Sequence, residues 1–173
     1  MVALNQVPSQ SFEIFLQKAR QLDLDPIAYQ LMQSPTDLYW TKPQVVKAIA
    51  QYLAFLYLYD RYPHLQLAPS LEIDQIWHCH ILDTQKYAED CQLLFGYMIH
   101  HFPYLGLRGV QDRRNQREAY LLTKRLFAKH FKTDSMAQNS LPGDCEPIRL
   151  AQLRSRPRST VNTEEVLANL PCS

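Results

Sequence analysis

Apolar residues along this chain recur at helical rather than strand spacing. Phe12, Phe15, Leu16 and Ala19 form a first stripe, which predicts a helix from near Ser9 to just before Asp25. Asp25-Pro26 reads as an N-cap followed by proline at the first helical position, opening a short helix to about Met32 that Ser34-Pro35 breaks. Thr41 is the expected cap of the longest early helix, Lys42 to about Asp60, with Pro43 in its first turn. Val45, Val46, Ile49, Tyr52, Leu53, Phe55, Leu56 and Tyr59 make that helix apolar over a wide face, so it should be a central core element.

Two further helices are predicted from Pro69-Ser70 to about Leu82 and from about Thr84 to Phe95. Asp83-Thr84 interrupts them and Gly96 closes the second. His100 to Gly109 reads as irregular. A last long helix should run from Gln111 or Arg114 to Phe131, with Tyr120, Leu121, Leu122, Leu126 and Phe127 as its apolar positions. From Thr133 the pattern weakens, and only Thr163 to Leu170 suggests another short helix. The expectation is an all-α protein: an irregular or orthogonal bundle of about six helices over residues 1–132, then a loop-like or partly ordered tail over 133–173.

Composition supports this reading. Of 173 residues, 46% are apolar, enough to fill a core, and the four glycines are few for a sheet protein. The net charge of +1 argues against a general attraction to nucleic acid. No segment reaches the roughly 20 apolar residues needed to span a bilayer, and Met1 to Ser11 does not read as a signal peptide, so a cytoplasmic protein is expected. Cys79, Cys91, Cys145 and Cys172 form no CxxC pair and should be reduced thiols. Arg149, Arg154, Arg156 and Arg158 make a basic cluster in the tail, through which an acidic protein partner or a phosphate could be held.

Candidate chemistry concentrates between Leu71 and Gly109, where four of the six histidines fall. Asp74 and His78 lie one helical turn apart on one face, flanked by Trp77 and Ile81. A carboxylate so placed can orient the imidazole, or both can ligate a metal. His80 is roughly 200° from His78 on an ideal helix, so it could join the same ion only if the helix end distorts. His100 and His101 follow the next helix and should return toward His78 to supply a further nitrogen. On that intervening helix Tyr87, Asp90, Cys91 and Leu94 share a face; a buried Asp90 would need a partner, a histidine or Arg108.

The candidate ligands are therefore His78, His80, His100, His101 and Asp74, supported by Trp77, Tyr87, Asp90 and Arg108. Zinc is the default ion and iron its competitor. The same residues also fit structural roles in a non-enzymatic interaction module, and an Asp74–His78 acid/base pair without metal is a third reading. Cysteine nucleophiles and a phosphate-binding loop are disfavoured: Cys79 diverges from both neighbouring histidines, and the glycines are too far apart.

The string from Pro69 to Tyr87, with Asp74, Trp77, His78, His80 and Tyr87, resembles the conserved block of the glycine-rich domain-containing protein-like family of plants, fungi and bacteria. Its continuation through Asp90-Cys91, Phe95-Gly96, His100-His101-Phe102-Pro103-Tyr104 and Gly106-Leu107-Arg108-Gly109 resembles a short bacterial branch, the likeness covering about Leu38 to Phe131. The chain lacks the glycine-rich tail of the long plant members. The resemblance implies a helical domain, marks Asp74, Trp77, His78 and His80 as the family signature, and brings no catalytic activity with it.

Overall fold

The most apolar helix organises the rest. In the computed structural model, which describes residues 11–33, 40–131, 142–143, 156 and 158–171, α3 spans Lys42–Arg61, and every residue from Ala48 to Leu58 is buried. A helix apolar on all sides must be surrounded. The Thr41 backbone N–H donates to Gln44 Oε1 at 2.8 Å, so its N-terminus is capped as the sequence suggests. Around it stand α1 (Phe12–Ala19), α2 (Asp25–Met32), α4 (Leu71–Leu82), α5 (Thr84–Phe95), α6 (Val110–Phe131) and α7 (Thr163–Ala168). The protein is all-α, with seven helices and no strand among the described residues beyond an isolated bridge between Ser70 and Pro142. One continuous core draws residues from Phe15 in α1 to Leu170 beyond α7. No helix among the described residues is long and apolar enough to cross a membrane.

The N-terminal region departs from the periodicity. α1 stops at Ala19, because backbone bonds from Gln21 to Lys18 and from Leu22 to Ala19 tighten the chain into a turn. The Leu22 carbonyl freed by that turn accepts the Thr163 hydroxyl at 2.6 Å. Asp25 is not the cap of α2 but its first residue. Its carboxylate accepts the Ser159 backbone N–H at 2.7 Å and the Ser159 hydroxyl. Both differences have one cause: residues 158–171 dock here, with Val161, Val166, Leu167 and Leu170 buried, and α7 packs on α3 and α1. Asn162 caps α7 by accepting the Glu165 N–H at 2.8 Å.

Two of the four tail arginines pair with carboxylates of this chain at its surface. Arg156 makes two bonds to Asp83 at 2.6 and 3.0 Å, and Arg158 meets Asp23 at 2.6 Å. Arg149, Arg154, Cys145 and Cys172 lie outside the described residues.

The connections around α5 position the site. Ser70 caps α4, Asp83 caps α5 through the Lys86 N–H at 3.2 Å, and Gly96 ends α5 in the left-handed conformation, φ 79°. The following loop is clamped at its far end by Asp112, which accepts the Gly106 N–H at 2.7 Å, the Arg108 N–H at 3.1 Å and the Arg108 guanidinium at 2.9 Å. Arg108 therefore belongs to Asp112, not to Asp90, and its guanidinium lies 5.2 Å over the Phe102 ring.

The Arg108 guanidinium, with the two backbone N–H groups, holds the Asp112 carboxyl at about 2. That is below the roughly 3.9 of an unfolded chain, so the clamp contributes fully above about pH 5 and is lost as pH falls toward 2. Urea unfolding midpoints should decline over that window, and Asp112→Asn should flatten the decline.

Candidate metal centre

Helix geometry divides the histidines of α4 between two sites. α4 continues without fraying to Leu82, so His78 and His80 project to different sides.

His80 faces the core. Its Nδ1 lies 2.9 Å from the Tyr52 hydroxyl, and its Nε2 lies 2.9 Å from Asp90 Oδ2, which also accepts the Lys86 ammonium at 2.7 Å. All four side chains are buried. Burial lowers the His80 pKa against the opposing pull of Asp90, so the ring is neutral near pH 7. Burial raises the Asp90 carboxyl, but hydrogen bonds from His80 and Lys86 outweigh it and bring the group below its ordinary range. One proton arrangement satisfies every atom: the Tyr52 O–H donates to Nδ1, and the Nε2–H donates to Asp90. The partner foreseen for Asp90 as a histidine is His80. Lys86, four residues before Asp90, is a partner the sequence reading passed over, although its spacing pointed to the pair.

His78 turns the other way and meets His101. Their Nε2 atoms are 2.8 Å apart. Asp74 completes the group: its Oδ1 lies 3.3 Å from His101 Nε2, and its Oδ2 lies 3.8 Å from His78 Nε2. Asp74, His78 and His101 are the group of three among the described residues whose donor atoms fall together, all within 4.8 Å of one another. His100, exposed and offering its backbone carbonyl to the Tyr59 hydroxyl at 3.4 Å, is outside it.

The placement of His101 follows from two buried aromatics, Trp77 and Tyr87. The Trp77 indole N–H donates to the Tyr87 hydroxyl at 2.9 Å, and that hydroxyl donates to the Ile99 carbonyl at 2.6 Å. This chain ties α4, α5 and the loop together two residues before His101. Trp77 then lies against the His101 ring, centroids 4.4 Å apart and planes 30° from parallel. Tyr87→Phe would strand a buried N–H and a buried carbonyl, and should cost about 2–3 kcal/mol in urea unfolding. Amide exchange at His100 and His101 should rise with it.

Asp74 is only 2% exposed, and its Oδ2 is buried without a hydrogen-bond partner. Gly143 packs directly on it. A Cβ there would stand 2.4 Å from Asp74 Cβ and 3.0 Å from Oδ2, so only glycine fits. Gly143 is itself held by its N–H to the Pro69 carbonyl at 3.1 Å and by Gln116 Nε2 to its own carbonyl at 3.0 Å. Neither Gly143 nor Gln116 was foreseen, and the one available signal was a lone glycine after Pro142 in a chain poor in glycine.

Three atoms of metal-ligating type thus converge. Two ligand atoms, each about 2.1 Å from one ion, stand about 3.0–3.4 Å apart, and the separations within this group approach that. Burial lowers the His78 pKa, with Asp74 opposing and His101 adding to the shift, which favours the neutral, ligating ring. Neither described cysteine joins the group. Cys79 and Cys91 are buried, and burial pushes the Cys79 thiol up to about 12. His130 is half-buried with its Nε2 2.7 Å from the Tyr62 hydroxyl.

Comparison with known proteins places the chain. The family model described as UCP032817-like matches residues 29–141, which include every residue of the site except Gly143. Glycine-rich domain-containing protein 2 of Arabidopsis thaliana is 30% identical over 95 residues, covering 53% of this chain and 11% of that protein. This chain thus spans about a tenth of that relative's length. No solved structure matches.

Proposed function

The chain belongs to the UCP032817-like family, and within it we propose that Asp74, His78 and His101 form a two-histidine, one-carboxylate centre for a divalent transition metal. The observation that carries this is Asp74 Oδ2, a buried oxygen with no hydrogen-bond partner beside two converging imidazole nitrogens. A cation supplies what that oxygen lacks. Zinc suits the donor set, and so does iron(II), which two histidines and a carboxylate bind with positions left over for substrate. Three protein ligands with open positions are the arrangement of a reactive rather than a purely structural site. When bound, the metal supplies Lewis acidity. The protein orients the two rings, keeps Asp74 shielded and presents His101 at the edge of a cleft. His80 and His100 are left out of the ligand set, since His80 is committed to Tyr52 and Asp90.

The alternative of a non-enzymatic module held to a partner by its tail has less in its favour, because Arg156 and Arg158 are paired with Asp83 and Asp23. Metal content of protein made without a histidine tag separates the two. About one equivalent of zinc or iron, lost in His101→Ala, is expected. Less than about a tenth of an equivalent, with no uptake on addition, would sink the metal reading.

A further inference from the structure

The cleft beside His101 has a character of its own. It holds about 190 Å³ and lies between α3, the connector before α4, α4 itself and the loop after α5. Its apolar walls include Tyr59, Leu65, Trp77, Phe102, Pro103 and Leu105. No lysine, arginine, aspartate or glutamate lines it among the described residues. A charged ligand would find no counter-charge in those side chains, so a neutral ligand fits these walls better. An apolar cavity of about 150 Å³ is known to hold benzene, so this volume suits one aromatic ring with one or two further heavy atoms. Three aromatic walls favour a flat ring over an aliphatic chain.

The polar lining comes from Gln66, His101 and Gln116, with Gly143 beside them. Gln116 is held to the Gly143 carbonyl, and Gly143 rests on Asp74. Part of the wall is therefore built from residues that pack on the candidate ligand Asp74. We propose that the cleft seats a small neutral aromatic ligand of the phenol class, its ring among Tyr59, Trp77 and Phe102 and its hydroxyl toward His101. The proposal rests on the metal reading, since His101 both lines the cleft and belongs to the Asp74–His78–His101 group.

The test uses the full chain loaded with cobalt(II), titrated with phenol and followed by the visible bands of the metal. A saturable spectral change is expected. Leu105→Trp, which fills the cleft, should weaken phenol at least tenfold while cobalt remains at one equivalent; Leu65→Trp serves if that variant does not fold. No saturable change, or equal binding in the filled variant, overturns the proposal. If cobalt does not bind at all, the metal reading has failed on its own. Phenol is then titrated into metal-free protein by ligand-observed NMR: binding lost in the filled variant sustains the cleft's ligand class, and no binding overturns it.

Discussion

Replacing Asp90 by alanine should destabilise the protein by about 3–5 kcal/mol, the cost of leaving a buried charge without its partner. Asp90 Oδ2 is the common acceptor for Lys86 at 2.7 Å and His80 at 2.9 Å, and the side chains of Lys86 and His80 are only 6% and 2% exposed. Without the carboxylate, a buried ammonium loses its counter-charge and the His80 Nε2–H loses its acceptor. Asp90→Asn keeps an oxygen in place and should cost distinctly less. Urea unfolding of the two variants reads the difference. Equal stabilities for Asp90→Ala and the unaltered chain would mean that water reaches Lys86 and the network is not sealed. This network, rather than the proposed metal centre, is what His80 serves.

The second large effect has two parts of opposite sign. Asp74→Asn should weaken metal binding by about 100-fold or more, since losing a direct ligand should exceed the 10–100-fold cost of altering an outer partner. The same change should leave the metal-free protein equally stable or about 1 kcal/mol more stable, because an acceptor without a partner is replaced by a group that can also donate to its neighbours. A residue kept only for folding would behave the other way, losing stability on substitution. Metal titration and thermal unfolding of the metal-free protein together distinguish these cases.

How much of this was legible in the sequence varies with how local the cause is. The bounds of α4 and α5 follow from Ser70, Asp83 and Gly96, whose capping chemistry acts within a few residues. The Asp74–His78 face is likewise a matter of helical pitch, and the same pitch turned His80 away. The loop's return was expected, but which histidine would arrive depended on the Trp77–Tyr87–Ile99 chain, a tertiary feature that delivers His101 and leaves His100 at the surface. α1 was read too long because its end is set by the docking of residues 158–171, which no local pattern reveals. Lys86 is buried and was not singled out, since charge at that spacing looks the same on either face. Gly143 lies in a stretch without periodicity, and its contact with Asp74 arises only in the folded chain.

The central claim is that one ion sits among Asp74, His78 and His101. A crystal of the protein grown or soaked with zinc and measured at the zinc absorption edge tests it most directly. The account predicts a single strong anomalous peak about 2.0–2.2 Å from His78 Nε2, His101 Nε2 and an Asp74 oxygen, absent in Asp74→Asn. Anomalous density found only at other histidines such as His64 or His100, or none at this group with zinc in excess, would contradict it.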